Sequence, residues 1–109
     1  MKFKISIITV CYNSVATIET TIRSVIDQTY KNIEYIIIDG GSTDGTLDVI
    51  NRYDSHVDKC ISESDKGIFD AMNKGVKMAK GDVVGLINSD DIFNSNQSLE
   101  KVMKIFNSN

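Results

Sequence analysis

Four short apolar runs, each followed by a segment with helical periodicity, constrain the fold of this 109-residue chain more than any other feature. Within the second run, Ile36-Ile37-Ile38 is a continuous β-branched stretch, which is typical of a parallel strand covered on both faces. Regular alternation of strands and helices predicts an α/β fold with right-handed crossovers, a mostly parallel sheet and helices on both faces. The second strand is therefore expected to lie in the interior of the sheet.

Periodicity and capping signals predict where each element begins and ends. We expect strands at residues 4–10, 33–39, 59–62 and 83–87. We expect helices at residues 15–28, after the Gly-rich turn around Leu47 and Ile50, at 68–79 and at 97–106. Asn13 or Ser14 is expected to cap the first helix, and Ser42, Thr43 or Asp44 the second. No linker divides the chain, so residues 1–109 are predicted to form a single domain.

Composition argues against several classes of protein. The net charge is −3 and the 12 Lys and Arg residues are dispersed, so the charge pattern of a nucleic-acid-binding protein is missing. No apolar run approaches the roughly 20 residues of a membrane span, although peripheral membrane association stays open. Cys11 and Cys60 lack the spacing of a zinc or redox motif and are expected to be reduced cytoplasmic thiols. His56 stands alone, and we assign it no chemistry.

Two acidic clusters follow the second and fourth predicted strands, Asp39-Gly-Gly-Ser-Thr-Asp44-Gly and Asn88-Ser-Asp90-Asp91. Because parallel strands end at one edge of a sheet, both clusters belong to the same rim. Two ionised carboxylates ~4 Å apart repel by about 1 kcal/mol in water, and a hard cation such as Mg²⁺ or Mn²⁺ offsets that repulsion. We expect Asp90 and Asp91 to bind such a cation together with a phosphate ligand. The same residues also suit a turn and a helix start.

Other residues at the predicted strand ends are candidate ligand contacts. The glycines after Asp39 allow close approach of the backbone, although the loop matches neither GxGxxG nor GxxxxGK[ST]. Asp39 is expected to accept hydrogen bonds from ribose hydroxyls or a base N–H. Tyr12 offers a ring face to a nucleobase. Lys66 is a candidate phosphate contact, with an ordinary solvated lysine as the alternative.

Four ordered motifs resemble those of the family 2 glycosyltransferases of the GT-A fold. They are Ser6–Asn13, Ser24–Tyr30, Ile36–Gly45 and Asn88–Asp91. The resemblance implies a nucleotide-diphosphate-sugar donor, usually a UDP or GDP sugar, bound with Mn²⁺ or Mg²⁺. It also implies transfer to a hydroxyl of a saccharide or lipid-linked saccharide acceptor, with inversion, in polysaccharide or glycan biosynthesis.

The resemblance also implies roles for single residues. Asp90 and Asp91 fall on the metal ligands of the DxD-type motif, beside Asn88 and Ser89 as substrate contacts. The base-binding segment falls on Thr9, Val10, Tyr12 and Asn13, and Asp39 falls on the first acid of the family's Asp-Asp-x-Ser pair. Three departures stand out: Gly40 replaces the second acid of that pair, Met72 replaces a frequent arginine, and Asn88 replaces the first acid of Asp-x-Asp.

Members of the family usually continue into an acceptor-binding half that carries the general base. No residue here occupies that position, so no catalytic residue is identified. We expect the donor-binding half of a cytoplasmic enzyme that works at the inner face of the membrane, with weak or absent turnover alone. An apolar patch left exposed would favour a homodimer. Two alternatives stay open: a phosphoacceptor receiver domain, disfavoured because residues 9–13 contain no acid, and a catalytically inactive nucleotide-binding module.

Overall fold

The computed structural model, which describes residues 2–108, contains a four-stranded parallel sheet with the strand order β3-β2-β1-β4. The strands are β1 (Ile5–Cys11), β2 (Ile33–Asp39), β3 (Lys59–Ser62) and β4 (Val83–Leu86). The helices are α1 (Ile18–Ile26), α2 (Thr46–Arg52), α3 (Ile68–Met78) and α4 (Ser98–Asn107), with a 3₁₀ turn at Asp54–His56. The predicted α/β class is confirmed, and β2 is an interior strand, as is β1.

Helices cover both faces of the sheet. Successive side chains of each strand point to opposite faces, so each interior strand packs against helices on both sides. Ile5 and Ile7 of β1 pack in the cluster that includes residues of α1, α2 and α4. Ile8 and Val10 pack in the second cluster, with Ala71 of α3. The continuous apolar runs of β1 and β2 are therefore explained by burial on both sides.

The strand order reverses beside β1, and this reversal places the site. From β1 the chain moves to β2 and then β3 on one side, whereas β4 pairs with β1 on the other side. The connection through α3 carries the chain from β3 at one edge of the sheet to β4 at the other. In open parallel sheets, ligand crevices form at the point of reversal, beyond the carboxyl ends of the strands.

Helix α1 is shorter than predicted, and its expected caps are wrong. It begins at Ile18 after Thr17, which makes no side-chain capping bond. Asn13 has a φ of 47°, in the left-handed region, and its side chain accepts a hydrogen bond from the Thr43 N–H (2.8 Å) instead of capping the helix. Helix α2 begins after Gly45, and Asp44 of the predicted set accepts a bond from the Thr46 N–H (3.0 Å). Loop bridging therefore took precedence over capping at residue 13.

Gln28 was predicted to end α1, but α1 ends at Ile26 and Gln28 is buried beyond it. Its amide nitrogen donates to the carbonyls of Ser24 (3.0 Å) and Ser95 (2.8 Å), and its oxygen accepts from the Leu99 N–H (3.0 Å). One side chain thereby fastens the start of α4 to the end of α1.

Within residues 2–108, no helix has the length and apolarity that crossing a membrane requires.

Glu34 is a buried carboxylate on β2 and is only 8% exposed. Its Oε1 accepts hydrogen bonds from the Ser6 hydroxyl (2.7 Å) and the Lys80 N–H (2.8 Å), and Oε2 lies 3.2 Å from Lys59 Nζ. Burial raises the pKa of Glu34, but the hydrogen bonds from Lys80, Ser6 and Lys59 outweigh it and lower the pKa from 4.5 to about 2. The ionised carboxylate thus joins β1, β2 and the loop before β4.

We predict that Glu34→Gln lowers the free energy of unfolding at pH 7 by about 1–3 kcal/mol, because charge-assisted hydrogen bonds are lost. Because the folded-state pKa is lowered, the stabilisation is complete above pH 4.5 and disappears as the pH falls to about 2. Urea unfolding at several pH values checks this. The control is Glu63→Gln, which removes an exposed ion pair with Lys74. A wild-type-to-Glu34→Gln difference that does not change with pH contradicts the prediction.

Helix α3 approaches β1 closely at Gly75. A Cβ on this residue would lie 2.5 Å from Cγ2 of Ile8, a fully buried residue of β1 whose branched side chain has no room to move away. At Gly85 the equivalent contact is 3.1 Å to Ile7 Cδ1, the end of a flexible side chain. The two glycines therefore differ in how easily the structure accommodates a methyl group.

We predict that Gly75→Ala destabilises the fold by about 1–3 kcal/mol through overpacking, despite the higher helix propensity of alanine. Gly85→Ala is the matched control and should cost less. Thermal and urea unfolding of the two variants test the comparison. Equal stabilities of Gly75→Ala and the wild type would show that α3 moves away from β1 at no cost.

Candidate functional site

A cavity of about 910 Å³ lies at the carboxyl edge of the sheet, where the strand order reverses. Loops after all four strands contribute to its wall, as does the start of α3. The lining residues are Val10, Cys11, Tyr12, Asn13, Ser14, Val15, Ala16, Thr17, Gly40, Gly41, Ser64, Asp65, Gly67, Ile68, Ala71, Asn88, Ser89 and Asp90. Its size suits a ligand as large as a nucleotide.

The wall combines an open aromatic ring with apolar and backbone surface. Tyr12 is 63% exposed although it borders the cavity, so its ring is accessible to a ligand. Ile68 and Ala71 add apolar surface from α3, and Gly40 and Gly41 add backbone. A planar ring with polar edges fits such a surface.

Asp39 supports the glycine-rich loop from below and is completely buried. Its Oδ2 accepts hydrogen bonds from the N–H groups of Gly41 (3.0 Å) and Ser42 (2.8 Å) and from the Ser62 hydroxyl (2.8 Å). Its Oδ1 accepts from the Ser42 hydroxyl (2.5 Å) and the Cys11 thiol (3.4 Å). Both oxygens are therefore used within the protein. The expected contact of Asp39 with ribose or base finds no support in this geometry.

The same contacts set the protonation of Asp39 and Cys11. Burial raises the pKa of Asp39, but the hydrogen bonds from Ser42 and Ser62 outweigh it and lower the pKa. The pKa of the Cys11 thiol is raised, first by burial and then by the adjacent Asp39 carboxylate. A negatively charged Asp39 facing a protonated thiol is the state that the structure favours.

Asn13 and Ser14 tie three of the loops together. The Asn13 N–H donates to the Ser42 hydroxyl (2.8 Å), and the Ser14 N–H donates to Thr46 Oγ1 (2.8 Å). The Ser14 and Ser89 hydroxyls lie 2.8 Å apart. The loops after β1, β2 and β4 are therefore joined by direct hydrogen bonds.

The acidic cluster after β4 forms a turn that α1 anchors. The Asp91 N–H donates to the Asn88 carbonyl (3.0 Å). The hydroxyl of the buried Thr21 contacts the carbonyls of both Ser89 (3.0 Å) and Asp91 (2.6 Å). Asp90 and Asp91 are exposed, and of the two only Asp90 lines the cavity. The backbone is fixed, whereas the two carboxylates face solvent.

These residues fit a hard divalent cation that shares its coordination with a ligand. Within residues 2–108, no three His, Cys, Asp or Glu side chains cluster as a protein-only metal site. Mg²⁺ and Mn²⁺ need only one or two carboxylates when water and phosphate oxygens complete the shell. Asp90 and Asp91, with the Asn88 amide oxygen, supply oxygen donors of that kind.

The structure brings most of the predicted site residues together. Those that line the cavity are Val10, Tyr12, Asn13, Gly40, Asn88, Ser89 and Asp90, and those that do not are Thr9, Asp39, Lys66 and Asp91. Thr9 is fully buried, and its hydroxyl lies 2.8 Å from the Tyr35 hydroxyl. Lys66 is exposed to solvent next to two lining residues.

Asp65, Ser14 and Thr21 also contribute to this site, although the sequence did not mark them as site residues. Asp65 lines the cavity in the loop after β3, and the rule that placed Asp90 at the rim applies equally to it. Ser14 and Thr21 act through hydrogen bonds to the acidic turn. Nothing in the spacing of a serine or threonine indicates such a contact.

Comparisons with known proteins give the family. The sequence profile described as Glycosyl transferase family 2 matches residues 6–109. The chain is 44% identical over 88 residues to the Escherichia coli UDP-Glc:alpha-D-GlcNAc-diphosphoundecaprenol beta-1,3-glucosyltransferase WfaP, a match that covers 80% of this chain and 35% of that protein. This chain thus spans about a third of the length of that relative.

Two solved structures share the fold. Residues 1–349 of S. aureus TarS, in complex with UDP-GlcNAc, superpose with a TM-score of 0.87 at 25% identity, over 96% of this chain and 31% of that TarS chain. Glucosyl-3-phosphoglycerate synthase of Mycobacterium tuberculosis, solved with Mn²⁺, UDP and glucosyl-3-phosphoglycerate, has a TM-score of 0.66 at 28% identity, over 80% of this chain and 33% of that protein. The sheet, the helices on both its faces and the profile match agree, and the chain belongs to glycosyl transferase family 2 with a GT-A fold.

Proposed function

We propose that this chain binds the nucleotide-diphosphate-sugar donor of an inverting glycosyltransferase together with Mn²⁺ or Mg²⁺. The observation that carries the proposal is the make-up of the cavity, which has an accessible tyrosine ring, a carboxylate-bearing turn and no Lys, Arg or His among its lining residues in the described part of the chain. The UDP-GlcNAc bound to TarS supports the choice of donor class.

Electrostatics support the metal. The cavity wall carries the carboxyl groups of Asp65 and Asp90, and the whole chain has a net charge of −3. A diphosphate that enters such a cavity is repelled unless a cation accompanies it. When bound, the metal supplies neutralisation of the diphosphate leaving group. The Mn²⁺ and UDP bound to the M. tuberculosis synthase are consistent with this requirement.

We assign roles to the predicted residues in light of their positions. Tyr12 and Val10 contact the base, and Asn88 and Ser89 lie next to the diphosphate. Asp90 and Asp91 hold the metal. Asn13, Asp39 and Thr9 act as supports, because their side chains bond to other parts of the protein. Lys66 approaches the phosphates only if its exposed side chain turns toward the cavity.

The proposed acceptor is the hydroxyl of a saccharide or a lipid-linked saccharide. The name of the E. coli relative, which describes a diphosphoundecaprenol-linked acceptor, supports this class. Work at the cytoplasmic face of the membrane, peripheral membrane association and homodimer formation stay predictions. Because this chain spans 35% of that relative, we propose that it is the donor-binding half, with weak or absent turnover by itself.

We predict that UDP or GDP binds this chain in the presence of Mn²⁺ and that EDTA abolishes binding. Asp90→Asn and Asp91→Asn should each weaken binding by about tenfold or more, because each removes a charged oxygen donor. Isothermal titration calorimetry measures both effects. The control is Asp48→Asn, which removes the same charge from an exposed site on α2. Equal affinity with and without metal would contradict the proposal.

The inactive-module alternative is separated by a second measurement. Binding of the labelled donor sugar without transfer, in this chain and in any longer form that includes it, would favour an inactive module. Membership of a glycosyltransferase family argues against the receiver-domain alternative. Phosphorylation by a small phosphodonor, abolished by Asp39→Asn, would reopen it.

We predict that Asp39→Asn lowers the stability of the fold, and that any loss of nucleotide binding follows from this destabilisation. An amide at this position is uncharged and has a single acceptor oxygen, so it cannot keep all the hydrogen bonds that the two carboxylate oxygens of Asp39 accept, at a cost of about 2–4 kcal/mol. Because the pKa of Asp39 is lowered, its stabilising contribution is lost as the pH falls below its ordinary value of 3.8. Thermal melts with Asp48→Asn as control test this. A variant with wild-type stability that no longer binds nucleotide would instead make Asp39 a ligand contact.

A further inference from the structure

Glycine is needed at position 40 because a neighbouring side chain leaves no room for a Cβ, and not because of its backbone conformation. Gly41, Gly45 and Gly67 have φ values of 87°, 102° and 107°, which favour glycine, whereas Gly40 is not among the positive-φ residues of the described chain. A Cβ on Gly40 would lie 3.0 Å from Asp65 Oδ2 and 3.4 Å from Tyr12 Cδ1. The Asp65 carboxylate therefore occupies the space in front of Gly40, beside the Tyr12 ring.

Asp65 is held in this position by one of its two oxygens. Its Oδ1 accepts a hydrogen bond from the Gly67 N–H (3.1 Å) at the start of α3. Its Oδ2, the oxygen near Gly40, accepts no hydrogen bond from another described residue. A turn before a helix needs only the first of these oxygens. The second oxygen, Oδ2, is therefore free to accept a hydrogen bond from a ligand.

A carboxylate oxygen next to an aromatic ring is suited to reading the edge of a base that stacks on the ring. A carboxylate accepts hydrogen bonds and cannot donate them. Uracil and guanine present a ring N–H beside a carbonyl, whereas cytosine and adenine present a bare ring nitrogen at the matching position, which a carboxylate repels. Position, free oxygen and adjacent ring all point to this kind of base.

We propose that Asp65 determines base specificity, with its Oδ2 accepting the ring N–H of uracil or guanine stacked on Tyr12. This inference rests on the proposed function, because it places the nucleotide in the same cavity. Gly40 is then required so that the Asp65 carboxylate reaches the base edge. Whether the base is uracil or guanine is an outcome of the experiment below.

The test compares the affinities of UDP with CDP, and of GDP with ADP, by calorimetry in Mn²⁺. The wild-type chain should prefer the ring-N–H base of at least one pair by about tenfold or more, as expected when a polar group is left unpaired with the wrong ligand. In Asp65→Asn, Oδ1 still accepts the Gly67 N–H and an NH₂ donor replaces Oδ2, so the preference should disappear or reverse. Asp48→Asn is the charge-matched control.

A second variant guards against a folding defect in the first. Gly40→Ala keeps every charge but places a methyl group 3.0 Å from Asp65 Oδ2, so the preference should shrink while the Mn²⁺ requirement persists. Metal-dependent binding with an unchanged preference in both variants overturns this inference and leaves the proposed function standing. A wild-type chain without any preference also overturns it. Absence of binding by all four nucleotides defeats the proposed function itself.

Discussion

The carboxylate of Asp39 is the interaction on which the architecture of the site depends. It ends β2 and is fully buried, yet it bonds to Gly41, Ser42 and Ser62 and so joins the loop after β2 to the end of β3. Such a charge is stable in the interior only because so many donors surround it. The glycine-rich loop keeps its shape beside the cavity because the N–H groups of Gly40, Gly41 and Ser42 are all hydrogen-bonded within the protein.

At the edge of the sheet, some polar groups support the loops and others remain free for a ligand. The Ser42 hydroxyl accepts a hydrogen bond from the Asn13 N–H. The next residue, Ser14, is hydrogen-bonded through its hydroxyl to the Ser89 hydroxyl in the acidic turn. The backbone around the cavity is therefore preorganised, while the carboxylates of Asp90 and Asp91 face solvent. A ligand that brings its own cation completes such a site without rearranging the loops, which keeps the cost of binding low.

Among residues 2–108, no Lys, Arg or His side chain lines the cavity, and this absence is the main support for the proposed metal. Met72 stands where the family frequently has an arginine, and it packs against the apolar cluster between α3 and the sheet. Lys74, two residues along, pairs with Glu63 (3.3 Å) and Asp70 (3.7 Å). Neither residue extends into the cavity in this arrangement, which supports the proposal that a divalent ion compensates the charge of the diphosphate.

Patterns of the sequence predict the sheet well and the supporting contacts poorly. Both interior strands are apolar on two faces, and this burial makes their periodicity and parallel pairing predictable. The rim position of Asp90 followed from the rule that parallel strands end together. The same rule places Asp39 at this edge of the sheet. It does not predict whether the carboxylate faces a ligand or is surrounded by its own loop. The rule also applies to Asp65, but the closeness of its carboxylate to Gly40 depends on how the loops after β2 and β3 meet in three dimensions.

We propose that a divalent ion at the turn Asn88–Asp91 joins a nucleotide diphosphate to this chain. Paramagnetic broadening of backbone amide signals by Mn²⁺, measured by NMR in the presence of UDP or GDP, reports where such an ion binds. We expect broadening to be strongest for residues 88–91, to extend to Tyr12 and Gly40 across the cavity, and to depend on the nucleotide. Broadening centred on another part of the surface, or none at these residues, would contradict it.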